Sequence, residues 1–126
     1  VLPQGQGLRL QEAGHGVSPD RHGVKYFKNA LKAQNYAQIA LNGILNSLEE
    51  IDAKITEFSI DWEVSRMPAV DRNILRLAVY EIYFAEEKIP AGIAINEAVE
   101  IAKIYGSEDS PRFINGLLGK MVRNNE

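Results

Sequence analysis

A chain of 126 residues is long enough to bury one hydrophobic core and too short for two ordinary domains. With 45% hydrophobic and 25% charged residues it has the balance of a folded globule, and no apolar run approaches the roughly 20 residues that a membrane-crossing helix requires. Cysteine is absent, which excludes disulfides, thiolate nucleophiles and thiolate metal sites and suits a reducing, cytoplasmic compartment, while a net charge of −3 argues against gripping nucleic acid through overall positive potential.

The first residues, VLPQGQGLRL, lack the basic-then-apolar order of a secretory signal, and Val1 in place of an initiator Met points to trimming or a start elsewhere. Gly5, Gly7, Gly14, Gly16 and Gly23 with Pro3 and Pro19 are too much punctuation for a long helix, so residues 1–24 read as an irregular segment. From Lys25 to the end, residues 25–126, the pattern is that of one all-helical domain. Its three prolines, Pro68, Pro90 and Pro111, stand where helices begin or connect. No strand-like alternation persists and no repeat is visible.

Ala37, Leu41, Ile44, Leu48, Ile51, Ile55 and Phe58 are spaced alternately by four and three residues, which predicts one helical stripe; Ala40 and Leu45 widen it toward a core face. The segment MPAVDRNILRLAVYEIYF predicts a central helix, apolar over more than half its circumference, with Arg72, Asn73, Arg76 and Tyr80 as a polar edge. Asp71 and Glu81 fall inside the apolar arc. For Asp71 in the first turn, capping by the helix dipole and contact with a partner are both open. Residues 94–104 predict a further amphipathic helix with Ala94, Ala98 and Ala102 inward. The last helix turns Phe113, Ile114, Leu117, Leu118 and Met121 to one side, and Arg112, Gly116, Gly119 and Arg123 to another. Two glycines on one helical face, each costing about 1 kcal/mol against alanine, imply tight packing or a closely approaching ligand.

Catalysis finds little support. His15 and His22 are seven residues apart in the irregular part without a carboxylate cluster, and neither a metal site nor a cofactor is expected. No nucleophile elbow, zinc-helix motif, phosphate loop or dinucleotide fingerprint occurs. Glu49-Glu50 and Glu86-Glu87 are neighbours that diverge by about 100° on a helix, hence solvated surface and not an acid–base couple. What remains is the junction YGSEDSPRFINGLLGKM. Gly106 stops one helix, Asp109 or Ser110 caps the next, and Pro111 suits its start. Tyr105, Arg112 and Phe113 around Ser107, Asp109 and Ser110 also offer rings for stacking, a guanidinium for phosphate and small polar groups for base edges. Tyr105 and Phe113 lie on the inward arcs of their helices as well, so core packing is the competing account.

The stretch AVDRNILRLAVYEI…IPAGIAINEAVEIAKIYGSEDSPRFINGLLGKM closely resembles the NusB family of bacterial transcription antitermination factors: VDRxILRLAxYE, IP, INEAxELAK and GxEDSxxFxNGxL follow in that order, and ALNGILNSLEEIDAKI resembles the helix before them. The match covers roughly residues 35–123. The resemblance implies an all-α bundle of about six or seven helices in two small sub-bundles, acting by binding and not by catalysis. It implies partners too: a small-subunit ribosomal protein (NusE), single-stranded boxA RNA and the RNA polymerase antitermination complex. Carried over by motif, the RNA-contacting junction falls on Tyr105, Ser107, Asp109, Arg112 and Phe113, and the ribosomal-protein contact on Asp71. The family's arginine-rich opening helix has no counterpart here beyond Arg9 and Arg21, which leaves the stripe from Ala37 short of a packing partner and adds a homodimer to the expectations. The rival readings are the NusB-like domain of a ribosomal-RNA cytosine methyltransferase, whose chain would continue into a cofactor-binding domain, and a dimerising helical module without RNA.

Overall fold

The computed structural model describes residues 21–60 and 62–124, and among them every regular element is helical. Helix α1 spans Arg21–Asn46, α2 Leu48–Phe58, α3 Ala69–Val79, α4 Ala91–Tyr105 and α5 Ser110–Asn124. A 3₁₀ turn, Val64–Arg66, precedes α3, and a π-helical turn, Tyr80–Phe84, follows it. The described chain divides into two compact units, one ending at Gln38 and the other beginning at Ile39. The predicted irregular segment lies outside the described residues as far as residue 20; residues 21–24 form the first turn of α1. His15 also lies outside them, and His22 falls on α1. No described helix is long and apolar enough to cross a membrane.

The stripe read as one helix from Ala37 to Phe58 is divided at Ser47, whose φ of −117° and ψ of 21° leave the helical region. Backbone bonding nevertheless runs through the bend: the Ser47 N–H donates to the Gly43 carbonyl at 3.1 Å, and the Ile51 N–H donates to the Ser47 carbonyl at 2.9 Å. A Gly and Ser pair one turn apart is a common cause of such a bend. The stripe holds in α2, where Ile51 and Ile55 are fully buried. In α1 it shifts: Ala40 is buried and Ile44 packs against the core, whereas Ala37, Leu41 and Leu45 are exposed.

Helix α3 packs against α2, α4 and α5, the central position its broad apolar surface predicts. Leu75, Ala78 and Val79 are buried, while Arg76 projects sideways and makes a two-pronged bond to the Asp52 carboxylate on α2, at 2.9 and 2.8 Å. That hydrogen bond raises the guanidinium pKa further, so the fork stays charged at any ordinary pH. Tyr80 departs from its place on the expected polar edge and is only 6% exposed. Gly43 explains the departure. A Cβ there would come within 2.7 Å of Tyr80 Cζ and Oη, so the bare backbone of α1 makes the bed in which the phenol lies.

Pro68 and Pro90 precede α3 and α4 in extended conformation, and each offers its carbonyl to the first helical N–H groups: Arg72 to Pro68, and Ile93 and Ala94 to Pro90, all at 3.0 Å. Neither proline has a donor to lose. Ala94, Ala98 and Ala102 form a buried small-residue seam on α4, along which α5 makes the most extensive helix–helix contact of the fold through Ile114, Leu117, Leu118 and Met121. No buried side-chain polar atom among the described residues lacks a partner.

Substituting Gly43→Ala should push the Tyr80 ring off its bed and destabilise the protein by about 1–3 kcal/mol, the usual cost of overpacking a filled site. A urea unfolding midpoint that stays in place would show that the ring is not held there.

Candidate nucleic-acid interface

The corner between α4 and α5 is built around Ser110. This serine is 1% exposed, and its hydroxyl donates to Asp71 Oδ1 on α3 at 2.7 Å. Ser110 Oγ also accepts the Ser107 backbone N–H at 2.9 Å and lies 3.1 Å from the Ser107 hydroxyl. Asp71, 5% exposed, is thereby satisfied by the beginning of another helix and makes no side-chain bond to the free N–H groups of its own. The carboxylate within the apolar arc is thus hydrogen-bonded across helices and is not a side-chain cap.

Gly106 ends α4 with φ of −93° and ψ of −171°, an extended conformation open to any residue. Its glycine identity answers to proximity instead. A Cβ at this position would meet Ser110 Cβ and Oγ at 2.6 Å and the Ala102 carbonyl oxygen at 2.9 Å. Removing the side chain lets the loop fold onto Ser110, and Pro111 follows in the first turn of α5, where an absent N–H costs nothing.

This scaffold distributes the predicted site residues in two groups. Ser107, Asp109, Phe113 and Asp71 line one cleft of about 380 Å³, together with Trp62, Met67 and Pro68. Tyr105 and Arg112 are not part of that lining; both are exposed at the helix ends, Tyr105 at 69%. The side chains of Tyr105, Arg112 and Asp109 have no hydrogen bond or ion pair among the described residues, so their functional groups are available. Core packing accounts for Phe113 only in part, since it is half-buried, and not at all for Tyr105.

A second cleft, about 250 Å³, shares Trp62 and Phe113 with the first and continues past Ile60 and Gly116 to Lys120. Trp62, the chain's single tryptophan, is 51% exposed. It was absent from the sequence-based site, although a lone tryptophan in an interhelical segment was a signal worth weighing, because exposing a large aromatic surface to water is unfavourable. Gly116 forms open floor here: nothing lies within 4 Å of where its Cβ would stand. At Gly119 only the tip of Arg123 comes near, at 3.3 Å. Neither glycine marks the tight helix packing that their shared face suggested.

Charge separates the two clefts. The first carries the Asp71 and Asp109 carboxylates without a Lys or Arg in its lining, whereas the second ends at Lys120. An acidic cleft repels phosphate and accepts hydrogen bonds from base amino groups or from a cationic side chain.

Ser110→Ala should cost about 1–3 kcal/mol by leaving the Asp71 carboxylate and the Ser107 N–H without their bonds, read as a lowered midpoint of thermal unfolding. Gly116→Ala has the opposite sign. With open space at the Cβ, it should raise stability by up to about 1 kcal/mol in the same assay.

Comparison with known proteins places this geometry in context. The family model described as the NusB family matches residues 15–123. The transcription antitermination protein NusB of Pelotomaculum thermopropionicum is 43% identical over 122 residues, covering 97% of this chain and 76% of that relative. NusB of Bdellovibrio bacteriovorus is 54% identical over 100 residues, covering 78% of this chain and 74% of that protein. The structure of T. maritima NusB superposes with a TM-score of 0.68 at 43% identity, covering 73% of this chain and 64% of that one. An all-helical fold, the ordered motifs and these matches agree: the chain belongs to the NusB family, and the relatives it matches are transcription antitermination proteins, a non-enzymatic role.

Proposed function

We propose that the chain supports ribosomal RNA transcription by binding boxA-type single-stranded RNA together with a small-subunit ribosomal protein, NusE, in the cytoplasmic antitermination complex of RNA polymerase. The observation that carries this reading is the exposure of Tyr105 and Arg112 at a corner whose neighbouring cleft is lined by Phe113 and Asp109. Unstacked bases need aromatic faces and hydrogen-bonding edges more than they need net positive charge, so a chain of net charge −3 is compatible with the task.

The roles divide by chemistry. Tyr105 supplies a ring face for a splayed base, and Arg112 a charge-assisted bond to phosphate. Asp109 accepts from an exocyclic amino group, as at cytosine N4, while Ser107 offers a hydroxyl to either donor or acceptor. Asp71, in the acidic cleft beside Trp62 and Pro68, suits a cationic side chain of the ribosomal protein. A basic partner at that cleft would also offset the repulsion between RNA and an acidic protein.

Arg112→Ala should weaken boxA binding by about 1–3 kcal/mol in the presence of the ribosomal protein, measured by fluorescence anisotropy at fixed salt. Equal affinity of the variant and the parent would remove Arg112 from the site, and failure of the parent chain to prefer boxA over a shuffled strand would remove the whole reading.

A further inference from the structure

Trp62 lines both clefts beside the corner, is 51% exposed, and has its backbone carbonyl fixed by the Ser59 hydroxyl, which donates to it at 2.7 Å. Its indole N–H has no partner among the described residues. A large aromatic surface held in water on a fixed backbone is unfavourable, and folding alone does not explain it. Gly116 lines the second cleft, and nothing lies within 4 Å of where its Cβ would stand. A helical glycine in open space costs stability and relieves no clash, so both residues keep the cleft open to the detriment of the fold.

The charge around this cleft is one-sided. Its described lining includes Lys120 and no carboxylate. From Ser110 to Asn124 no acidic residue occurs on α5, and the side chains of Arg112, Lys120 and Arg123 have no hydrogen bond or ion pair among the described residues. Arg112 and Lys120 stand about 12 Å apart along the helix axis, with Gly116 midway between them.

We propose that the second cleft is a further base-binding subsite for single-stranded RNA, in which an unpaired base stacks on Trp62 and its phosphate meets Lys120. The proposal rests on RNA binding at the α4–α5 corner and extends the strand's path from Phe113, which lines both clefts, to residues outside that corner. Charge decides for a nucleotide against an apolar side chain of a partner protein. An apolar anchor would strip water from Lys120 without answering its charge, whereas a nucleotide supplies a π face for the indole and a phosphate for the ammonium group. Stacking reads no sequence, so this subsite adds affinity and leaves discrimination between bases to Ser107 and Asp109.

Trp62 is the chain's single tryptophan, so its emission reports on the cleft directly. Labelled boxA RNA is titrated into the full chain with the ribosomal protein present, a Trp62→Phe chain serving as the blank for emission from the partner. Stacking of a base quenches an indole, so Trp62 emission should fall in step with the rise in RNA anisotropy. Trp62→Ala should weaken RNA binding by about 5- to 100-fold with the slope of log affinity against log salt unchanged. Lys120→Gln should reduce that slope by about 0.7, the share of one phosphate contact to a single strand. Gly116→Leu guards against an unfolded variant: its side chain enters open space, so the thermal unfolding midpoint should hold or rise while RNA affinity falls. If boxA is preferred over a shuffled strand while Trp62 emission and the affinity of Trp62→Ala stay unchanged, the subsite is overturned and the corner reading stands. Quenching and loss of affinity without any preference for boxA overturn the corner reading and support the subsite. A parent chain that binds neither strand at about 50 mM salt overturns both. Emission that changes on adding the ribosomal protein alone, and no further with RNA, makes the cleft a protein contact and overturns the RNA subsite.

Discussion

A single buried hydrogen bond, from the Ser110 hydroxyl to Asp71, joins the beginning of the last helix to the beginning of the central one, and the geometry of the candidate interface depends on it. Three groups converge there: a carboxylate that could not be buried alone, a hydroxyl at the head of α5, and the Ser107 N–H of the connecting loop. The bond determines where α5 begins, hence where Arg112 and Phe113 emerge, and it holds the loop that carries Ser107 and Asp109. Gly106 is its precondition, because a side chain at that position would occupy the space of Ser110.

The same device recurs at the other end of the central helix. Gly43 omits a side chain so that Tyr80 can enter the core, as Gly106 omits one so that Ser110 can approach. Neither glycine has a backbone conformation that demands it; both are required by what packs against them. Gly116 differs, since nothing approaches it, and its lack of a side chain leaves a cleft floor bare between Phe113 and Lys120. In a helix, where glycine carries a conformational cost, an empty position of this kind is better explained by a surface left open than by packing.

Rigid polar wiring below and available groups above give the corner its binding character. Asp71 Oδ1 and the Ser110 hydroxyl are taken up by structure, whereas the side chains of Tyr105, Asp109 and Arg112 have no hydrogen bond or ion pair among the described residues. Separating a satisfied framework from unsatisfied surface groups is what preorganised recognition needs, because little ordering remains to be done on binding. The acidic lining of the neighbouring cleft also sorts its occupants: base edges and cationic side chains are admitted there, phosphates are not.

Periodicity alone was enough to identify the helical class, the apolar central helix, the alanine seam of α4 and the inward face of α5, because each depends on local spacing that any packing arrangement must respect. The ordered motifs likewise made the family legible, and the junction residues could be named from it. Spacing could not say which arc of a helix meets which neighbour. Leu41 and Leu45 fit an apolar stripe yet stay in solvent, and Tyr80 falls on a polar edge yet is buried, because Ser47 bends the chain and Gly43 opens a bed for a ring thirty-seven residues away. Trp62 entered the candidate site only through the clefts it shares with Phe113. The sequence by itself determined the elements and their apolar faces; the tertiary structure decided that Asp71 is answered by Ser110 and that Tyr105 faces water, since a hydrogen bond between residues 39 positions apart and the exposure of a ring are properties of the packed assembly and not of any local pattern.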